Sequence, residues 1–311
     1  MEPFARASEL QTLMITEKSV ETVVPMVVPL EHWLQQRLSS WVQLSGHKGT
    51  IIPASEKTLW KKCGKVGDNF EAQAYCKLMN DICQPFVPKF YKEVEYCGEC
   101  IKNLHRLASP FIEIEDLTRM FDNPAIMDIK LGTRTFLESE VSNSKKRSDL
   151  FQKMIQLDPT EPTLEENEEK AITKLRYMQF RERESSSASL GFRIDGIKLI
   201  VVMMQFLNLE KSNIFLARAI DRLKELRTVV EKSLFFACHE VIGSSLLILY
   251  DDQMLNIFLI DFAKAIPLPF HVDGGRIRID HRSPWTLSNK EDGYLTGLDN
   301  LIEILESMSA K

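Results

Sequence analysis

The sequence has no run of apolar residues long enough to cross a membrane. Its longest apolar stretch, residues 199–209, is interrupted by Gln205 and Asn208, whereas a membrane-spanning helix needs about 20 predominantly apolar residues. The pattern of a secretory signal is also lacking, because acidic residues such as Glu2 and Glu9 occupy the first positions. We therefore expect a cytoplasmic protein with no transmembrane segment.

Positive charge is not in excess, and cysteine is scarce. The 311 residues include 39 Lys and Arg against 44 Asp and Glu, which gives a net charge of −5. Because nucleic-acid backbones are bound by basic surfaces, we expect no nucleic-acid partner, although a local basic pocket for a small polyanion is compatible with this balance. Of the six cysteines, Cys97 and Cys100 form a CxxC pair. We interpret this pair as a turn between strands, since a structural zinc site needs four ligands.

Composition shifts along the chain predict an α+β fold, and the length allows two domains. Short strand patterns and one helix fill the first part, and helical patterns dominate a segment of the second. In that segment Thr163 and Glu166 have the spacing of a capping box, and one helix is predicted from there to about Arg183. The predicted divisions are a partly disordered extension at 1–39, a first lobe at 40–117, and a second lobe at 118–311 with a helical insert at about 134–186.

Two pairs of charged residues have the pattern of a phosphate-binding site. Lys61 lies on a predicted strand and Glu71 begins a predicted helix, and protein kinases orient a lysine toward nucleotide phosphates with such a pair. Asp128 and Lys130 alternate along another predicted strand, so they share one face and suit binding of a phosphate together with a hydroxyl. Taken alone, the first pair carries little weight, and the second also fits an exposed ion pair at a strand edge.

One aspartate has the position of a metal ligand. Asp261 follows an apolar strand, where nucleotide-dependent kinases place a magnesium ligand. Ser245, on the preceding strand of the same predicted hairpin, is expected to reach the same ion. The alternative is an aspartate that caps the end of the strand.

A stripe of polar side chains follows helical spacing in the insert. Lys170, Lys174, Tyr177 and Arg181 recur at intervals that place them on one helical face. Lysine and arginine hold phosphate oxygens through charge-assisted hydrogen bonds. The alternative is a solvated face whose cations pair with the nearby glutamates.

The order of these parts is that of a two-lobed kinase, although the Gly-rich loop and HRD motif of protein kinases are absent. Residues 124–132, Pro-Ala-Ile-Met-Asp-Ile-Lys-Leu-Gly, resemble the signature of the inositol polyphosphate kinase family, and residues 244–247 and 260–262 resemble its two other motifs. Four further stretches resemble one branch of it, the inositol-1,4,5-trisphosphate 3-kinases: residues 41–47, 173–182, 190–198 and 291–300.

The resemblance implies a kinase-like fold of two lobes with an antiparallel sheet in each, a nucleotide in the cleft, and a helical substrate-binding insert. It implies an ATP- and Mg²⁺-dependent kinase that phosphorylates the 3-hydroxyl of inositol 1,4,5-trisphosphate to give inositol 1,3,4,5-tetrakisphosphate, in inositol phosphate and calcium signalling. The residues that the family's motifs carry over form four groups. The catalytic pair is Lys130 and Asp128. The nucleotide contacts are Lys61, Glu115, Leu117, Asp128 and Asp261. The metal ligands are Asp261 and Ser245. The substrate contacts are Lys130, Leu150, Lys174, Tyr177, Arg181 and Lys198.

Two other functions and one partner stay open. Inositol polyphosphate multikinases of the same family lack most of the helical insert, which residues 133–190 supply here. A catalytically impaired inositol-phosphate-binding protein is kept open by the apolar stretch after Lys198, where relatives are polar. Animal relatives are controlled by calmodulin through a basic amphipathic helix, but residues 31–41 contain Arg37 as their one Lys or Arg, which disfavours this partner.

Overall fold

The computed structural model describes residues 14–17, 26–27, 50–64, 69–97, 109–122, 124–198, 209–270, 274–275 and 277–309. Several features of the sequence lie outside this part of the chain. They are the segment 31–47, Cys100 of the CxxC pair, the apolar stretch after Lys198, and the side chain of Lys198 itself.

The first sheet is antiparallel throughout and is built from six of the described strands. They are β1 (Met14–Glu17), β2 (Met26–Val27), β3 (Ile51–Pro53), β4 (Thr58–Lys62), β5 (Phe90–Cys97) and β6 (Ser109–Glu115). Their order is β2-β1-β5-β6-β4-β3. The first two strands come from the segment for which we expected a partly disordered extension. There β1 pairs with β5 along four residues and so covers an edge of the sheet that would otherwise stay unpaired.

One helix, α1 (Phe70–Leu78), connects this sheet to the rest of the molecule. Its first turn is capped by Asn69, whose side-chain oxygen accepts the backbone N–H of the third helical residue at 3.2 Å. The helix buries Tyr75 in the largest apolar cluster. Just after it, Asp81 accepts the hydroxyl of Ser233 at 2.8 Å, which ties the end of the helix to the second half of the chain.

The second sheet is also antiparallel, which confirms the prediction of such a sheet in both halves. In the described part of the chain its order is β10-β7-β12-β13, and two short ribbons, β8–β9 and β11–β14, form separate two-stranded sheets. The strands are β7 (Ala125–Leu131), β8 (Lys146–Arg147), β9 (Ile172–Thr173), β10 (Phe192–Lys198), β11 (His239–Val241), β12 (Ser245–Tyr250), β13 (Leu255–Ile260) and β14 (Ala265–Pro267).

The two faces of the second sheet differ in chemistry because side chains alternate along each strand. One face carries Ile129, Leu246 and Leu259, which are buried in the large cluster together with helices α6 (Leu209–Lys232) and α7 (Tyr294–Ser309). The opposite face carries Asp128, Lys130 and Ser245. It also carries a smaller apolar patch, which consists of Leu117, Phe121, Ile126, Leu249 and Phe258. Among the helices that the structure describes, none combines the length and apolarity needed to cross a membrane.

The helical insert contains four helices: α2 (Ser148–Leu157), α3 (Leu164–Glu169), α4 (Lys174–Glu184) and α5 (Ser187–Leu190). The predicted capping box is present, since Thr163 and Glu166 exchange hydrogen bonds at 3.2 and 2.9 Å. The prediction of one helix to Arg183 was wrong. The chain leaves α3 at Lys170, which has a left-handed backbone with φ +49°, and the side chain of Thr173 caps a new helix. Lys170 is therefore not part of the polar face of α4.

Candidate active site

Lys61 lies at the centre of a partly buried ion cluster that joins the two sheets. It is on β4, and its Nζ is 2.5 Å from Oε1 of Glu71 in the first turn of α1. The same ammonium also forms an ion pair with Asp261, which follows β13. Asp261 has φ +68°, a left-handed conformation that is uncommon outside glycine. The strand lysine and helix glutamate predicted from the sequence are therefore paired, and a second acid completes the cluster.

Electrostatics fix the charge states in this cluster. Burial alone lowers the pKa of Lys61, but the Asp261 and Glu71 carboxylates outweigh it and hold that pKa well above its usual value. Burial raises the pKa of Asp261, yet the adjacent Lys61 ammonium holds it below its usual value. For Glu71, the effect of burial outweighs that of the Lys61 ammonium, so the pKa of the Glu71 carboxyl group is raised. Lys61 is therefore protonated and Asp261 ionised at neutral pH, so a carboxylate is available to a cation.

Asp128 and Ser245 present unsatisfied polar atoms on the face of the second sheet that carries Lys130. Asp128 is 2% exposed, and neither its Oδ1 nor the Oγ of Ser245 has a hydrogen-bond partner among the described residues. Lys130 and Ser245 are directly opposite each other on β7 and β12. A buried polar group without a partner costs about 1–3 kcal/mol. These atoms therefore indicate where the polar groups of a ligand would bind.

Lys130 is held at the edge of a cleft by acidic and backbone groups. Its Nζ is 3.2 Å from Oδ2 of Asp195 and 3.3 Å from the carbonyl oxygen of Gly243. Asp195 also accepts a hydrogen bond from Nε of Arg193 at 2.7 Å. Burial raises the pKa of Asp195, but Arg193 and Lys130 outweigh it, and the net pKa lies below its usual value. The ammonium of Lys130 thus has a defined position and a partly neutralised charge.

The backbone on both sides of this site is fixed by Asp292. Its carbonyl oxygen accepts the N–H of Thr133 at 2.9 Å, and its Oδ2 accepts the N–H of Val241 at 2.8 Å. Gly132 has φ +105°, and a Cβ there would lie 3.0 Å from the same carbonyl oxygen. The signature glycine therefore allows the close approach that holds the end of β7 in place.

Several cationic side chains line a cleft of about 530 Å³ between the two sheets. Lys61, Lys130, Arg193 and Lys264 all line it, together with Asp261. Sequence reasoning missed Arg193 and Lys264 as site residues. The signal for Arg193 is its position directly opposite Lys130 in the pairing of β10 with β7, and Lys264 is only three residues beyond Asp261.

Helix α4 lies next to this cleft, although Lys174, Tyr177 and Arg181 are not among the residues that line it. Met178 of that helix lines the cleft, and Lys174 forms an ion pair with Glu140. Burial lowers the pKa of Lys264, and the neighbouring Lys174 and Lys130 ammonium groups lower it further against the opposing effect of Glu140. Like charges are thus concentrated where the helix meets the cleft, which is an arrangement suited to a polyanion.

The other predicted contacts are placed as follows. Glu115 ends β6 directly opposite Thr58, and Leu117 begins the turn that leads to β7 and packs in the apolar patch on the Asp128 face. Tyr177 packs beside Phe180 with ring centroids 6.3 Å apart. The remaining site residues are Arg181, which is half-buried on α4, Lys198, whose backbone pairs with Ile126, and Leu150, which is 6% exposed in the apolar core of the insert.

The donor set fits a metal ion that arrives with a phosphate. Among the residues that the structure describes, no group of three or more His, Cys, Asp or Glu could hold a metal alone. Asp261 supplies an ionised carboxylate, and Ser245, on the neighbouring strand, supplies a hydroxyl to which no described residue is hydrogen-bonded. Magnesium is commonly bound by one or two carboxylates together with substrate phosphates and water. The site therefore fits magnesium bound to a nucleotide better than an all-protein metal centre.

Comparison with known proteins places these motifs in one family. The sequence profile described as "Inositol polyphosphate kinase" matches residues 111–202 and 198–306. The chain is 47% identical to an inositol-trisphosphate 3-kinase homolog of Caenorhabditis elegans, over 94% of this chain and 60% of that protein. It is 40% identical to human inositol-trisphosphate 3-kinase A, over 88% of this chain and 60% of that protein. The chain thus spans about 60% of the length of these relatives.

A solved structure is also similar. It is the crystal structure of the inositol phosphate multikinase Ipk2 in complex with ADP and Mn²⁺ from S. cerevisiae, with a TM-score of 0.45 and 16% identity. The match covers 81% of this chain and 99% of that chain.

Proposed function

The chain belongs to the inositol polyphosphate kinase family, and we propose that it transfers the γ-phosphate of ATP to the 3-hydroxyl of inositol 1,4,5-trisphosphate. The observation that carries the proposal is the position of Lys130. It lies in the wall of the cleft, on the same sheet face as the buried carboxylate oxygen of Asp128 that has no hydrogen-bond partner in the described part of the chain. The Lys61–Asp261 cluster lies on one side of it, and Lys264 lies toward α4.

For the nucleotide, we assign the residues of the first sheet and of the apolar patch. Lys61 would hold nucleotide phosphates, the backbone groups of Glu115 and Leu117 would hold the adenine, and Asp128 would accept hydrogen bonds from the ribose hydroxyls. Leu117 packs in the apolar patch, which suits the flat face of a base. The division into lobes at residues 117 and 118 is proposed on the same basis, with the cleft between them.

For the metal, Asp261 and Ser245 would be the ligands, and magnesium is the proposed ion. When bound, magnesium neutralises charge that develops on the transferring phosphoryl group. Phosphoryl transfer depends mainly on positioning and electrostatic stabilisation. The ionised state of Asp261 beside Lys61 supports this assignment.

For the acceptor, Lys130 would bridge the transferring phosphoryl group and the 3-hydroxyl. Lys174, Tyr177 and Arg181 would hold its phosphates from α4, with Lys198 and Leu150 as further contacts. The ion pair of Lys174 with Glu140 would give way to a substrate phosphate, which also accepts charge-assisted hydrogen bonds.

The experiment that tests the function is a product assay. The purified chain is incubated with ATP, magnesium and a panel of inositol phosphates, and the products are separated by chromatography. We expect inositol 1,4,5-trisphosphate to give one product, phosphorylated at the 3-position. Successive phosphorylation to higher products would favour a multikinase, and binding of the trisphosphate without any product would favour an impaired binding protein.

A substitution on α4 tests how the acceptor is recognised. Arg181→Ala should raise the KM for inositol trisphosphate about ten- to hundredfold, because a charge-assisted contact is worth about 1.5–3 kcal/mol, and should leave the KM for ATP nearly unchanged. Arg183→Ala is the matched control, since Arg183 is exposed on the same helix and pairs with Glu161. If Arg181→Ala changed the KM values for inositol trisphosphate and ATP equally, the insert would support the fold and would not recognise the substrate.

The cellular setting follows from the same proposal. Removal of inositol 1,4,5-trisphosphate and production of the tetrakisphosphate would place the chain in inositol phosphate metabolism and calcium signalling, in the cytoplasm. The resemblance also predicts calmodulin control. This partner is disfavoured because residues 31–41 contain only one Lys or Arg, which is Arg37.

A further inference from the structure

Glu182 connects α4 to the segment that follows β7. Helix α4 carries Lys174, Tyr177 and Arg181, which form the proposed acceptor-binding face. This glutamate is in the last turn of α4 and is 8% exposed. Its Oε1 accepts two hydrogen bonds from one residue, at 2.7 Å from the backbone N–H of Thr135 and at 2.6 Å from its hydroxyl. Thr135 is itself buried, lines the cleft, and is five residues beyond Lys130.

In the described part of the chain, the other ion pairs of α4 are with acids of the insert from Glu140 onward. Arg176 donates hydrogen bonds to Glu166 at 2.8 Å and to Glu161 at 2.6 Å, but both acids belong to the insert itself. The hydrogen bonds between Thr135 and Glu182 differ because Thr135, at the start of the insert, is only four residues beyond Leu131, the last residue of β7. They therefore relate the position of α4 to that of Lys130.

The contact between Glu182 and Thr135 is surrounded by charged groups of the site. Burial raises the pKa of Glu182, while the hydrogen bonds from Thr135 and the nearby Arg193 and Arg134 guanidinium groups oppose the increase. Arg193 is directly opposite Lys130 in the pairing of β10 with β7. Glu182 thus contacts one residue at the cleft and lies near a second, although it is on the insert.

Because α4 is a continuous helix, a shift at Glu182 also moves the residues of the acceptor-binding face. Glu182 follows Arg181 directly, so a change in its position also rotates Arg181. Lys174 is eight residues earlier, which is about 12 Å along the helix axis at 1.5 Å per residue. A tilt of about 10° at Glu182 would then move the backbone of Lys174 by about 2 Å. A misplacement of about 1 Å can cost a hundredfold in rate.

We propose that Glu182 is a positioning residue for acceptor recognition, which sets the distance and angle between Lys130 and the face of Lys174, Tyr177 and Arg181 through its two hydrogen bonds with Thr135. This inference rests on the proposed function of that face. Glu182 does not touch the acceptor. Its effect on binding is exerted through the orientation of α4.

The test compares four variants with the wild-type chain in steady-state kinetics and in direct binding of ATP. Glu182→Ala should raise the KM for the acceptor at least tenfold and leave the dissociation constant of ATP within about twofold. Glu182→Gln keeps a carbonyl oxygen that can accept both bonds from Thr135 and should stay within about threefold of wild type. Glu184→Ala, an exposed position on the same helix, should behave as wild type.

Thr135→Val removes the hydroxyl donor but keeps the backbone N–H, so its KM for the acceptor should lie between those of the wild type and Glu182→Ala. This variant also tests the proposal if Glu182→Ala does not fold. An unchanged KM for the acceptor in Glu182→Ala or Thr135→Val would overturn the proposal, as would equal losses of ATP and acceptor binding. A Glu182→Gln variant as impaired as Glu182→Ala would also overturn it, because charge and not hydrogen bonding would then be decisive. The acceptor in these assays is the inositol phosphate that the wild-type chain phosphorylates. Failure of the trisphosphate as a substrate would thus count against the proposed function alone.

Discussion

Replacing Lys130 with alanine should abolish phosphoryl transfer and leave the fold intact. The lysine places a positive charge in the wall of the cleft, where its Nζ lies 3.2 Å from Asp195 and 3.3 Å from the carbonyl oxygen of Gly243. Truncation removes that charge from the proposed path of the phosphoryl group. Asp195 keeps its hydrogen bond with Arg193, so no buried charge is left without a partner and the folding cost should be small.

The measurement for Lys130→Ala is kcat at saturating ATP and acceptor, with thermal unfolding and ATP binding measured on the same preparation. We expect turnover to fall by more than tenfold, a loss above about 1.4 kcal/mol, with ATP still bound. Lys145→Ala is the matched control, since Lys145 is an exposed lysine of the same half of the chain. A variant that keeps more than a tenth of wild-type turnover would show that the assignment of Lys130 is wrong.

The parts of the site that could be predicted from the sequence depend on local periodicity. Alternation along one strand places Asp128 and Lys130 on the same face, and the structure has them there on β7. The pairing of Lys61 with Glu71 follows from a strand and a helix that adjoin in the chain. In these cases the residues that meet are close in sequence, or belong to elements whose type is evident from their pattern.

The remaining parts depend on register and on local backbone conformation. Arg193 meets Lys130 because of the register between β10 and β7, which shifts at a bulge between Ile194 and Gly196, and no local pattern specifies that register. The break between α3 and α4 arises from the left-handed backbone of Lys170. A helical pattern continues across it, so a prediction based on spacing alone joins the two helices. The contact of Glu182 with Thr135 joins residues 47 positions apart and has no local signal.

Replacing Asp261 with asparagine should remove metal-dependent activity. The carboxylate is ionised beside Lys61, because that ammonium holds its pKa below the usual value against the effect of burial. A neutral amide is a poor magnesium ligand next to phosphates. Lys61 would keep Glu71 as a partner at 2.5 Å, so the variant should still fold. We expect turnover at low millimolar magnesium to fall by at least tenfold, which is about 1.4 kcal/mol or more.

A magnesium titration of turnover distinguishes loss of a metal ligand from loss of the ion pair with Lys61. If Asp261 binds the metal, Asp261→Asn should need more magnesium for half-maximal turnover, since weaker coordination is offset by mass action. If the ion pair matters instead, turnover should be low at every magnesium concentration, and ATP binding without metal should change. Asp252→Asn is the control, because Asp252 is exposed in the turn between β12 and β13 and should keep the wild-type titration. Undiminished turnover of Asp261→Asn at low millimolar magnesium would exclude Asp261 as the ligand, and the metal would then depend on the nucleotide phosphates and other groups near Ser245.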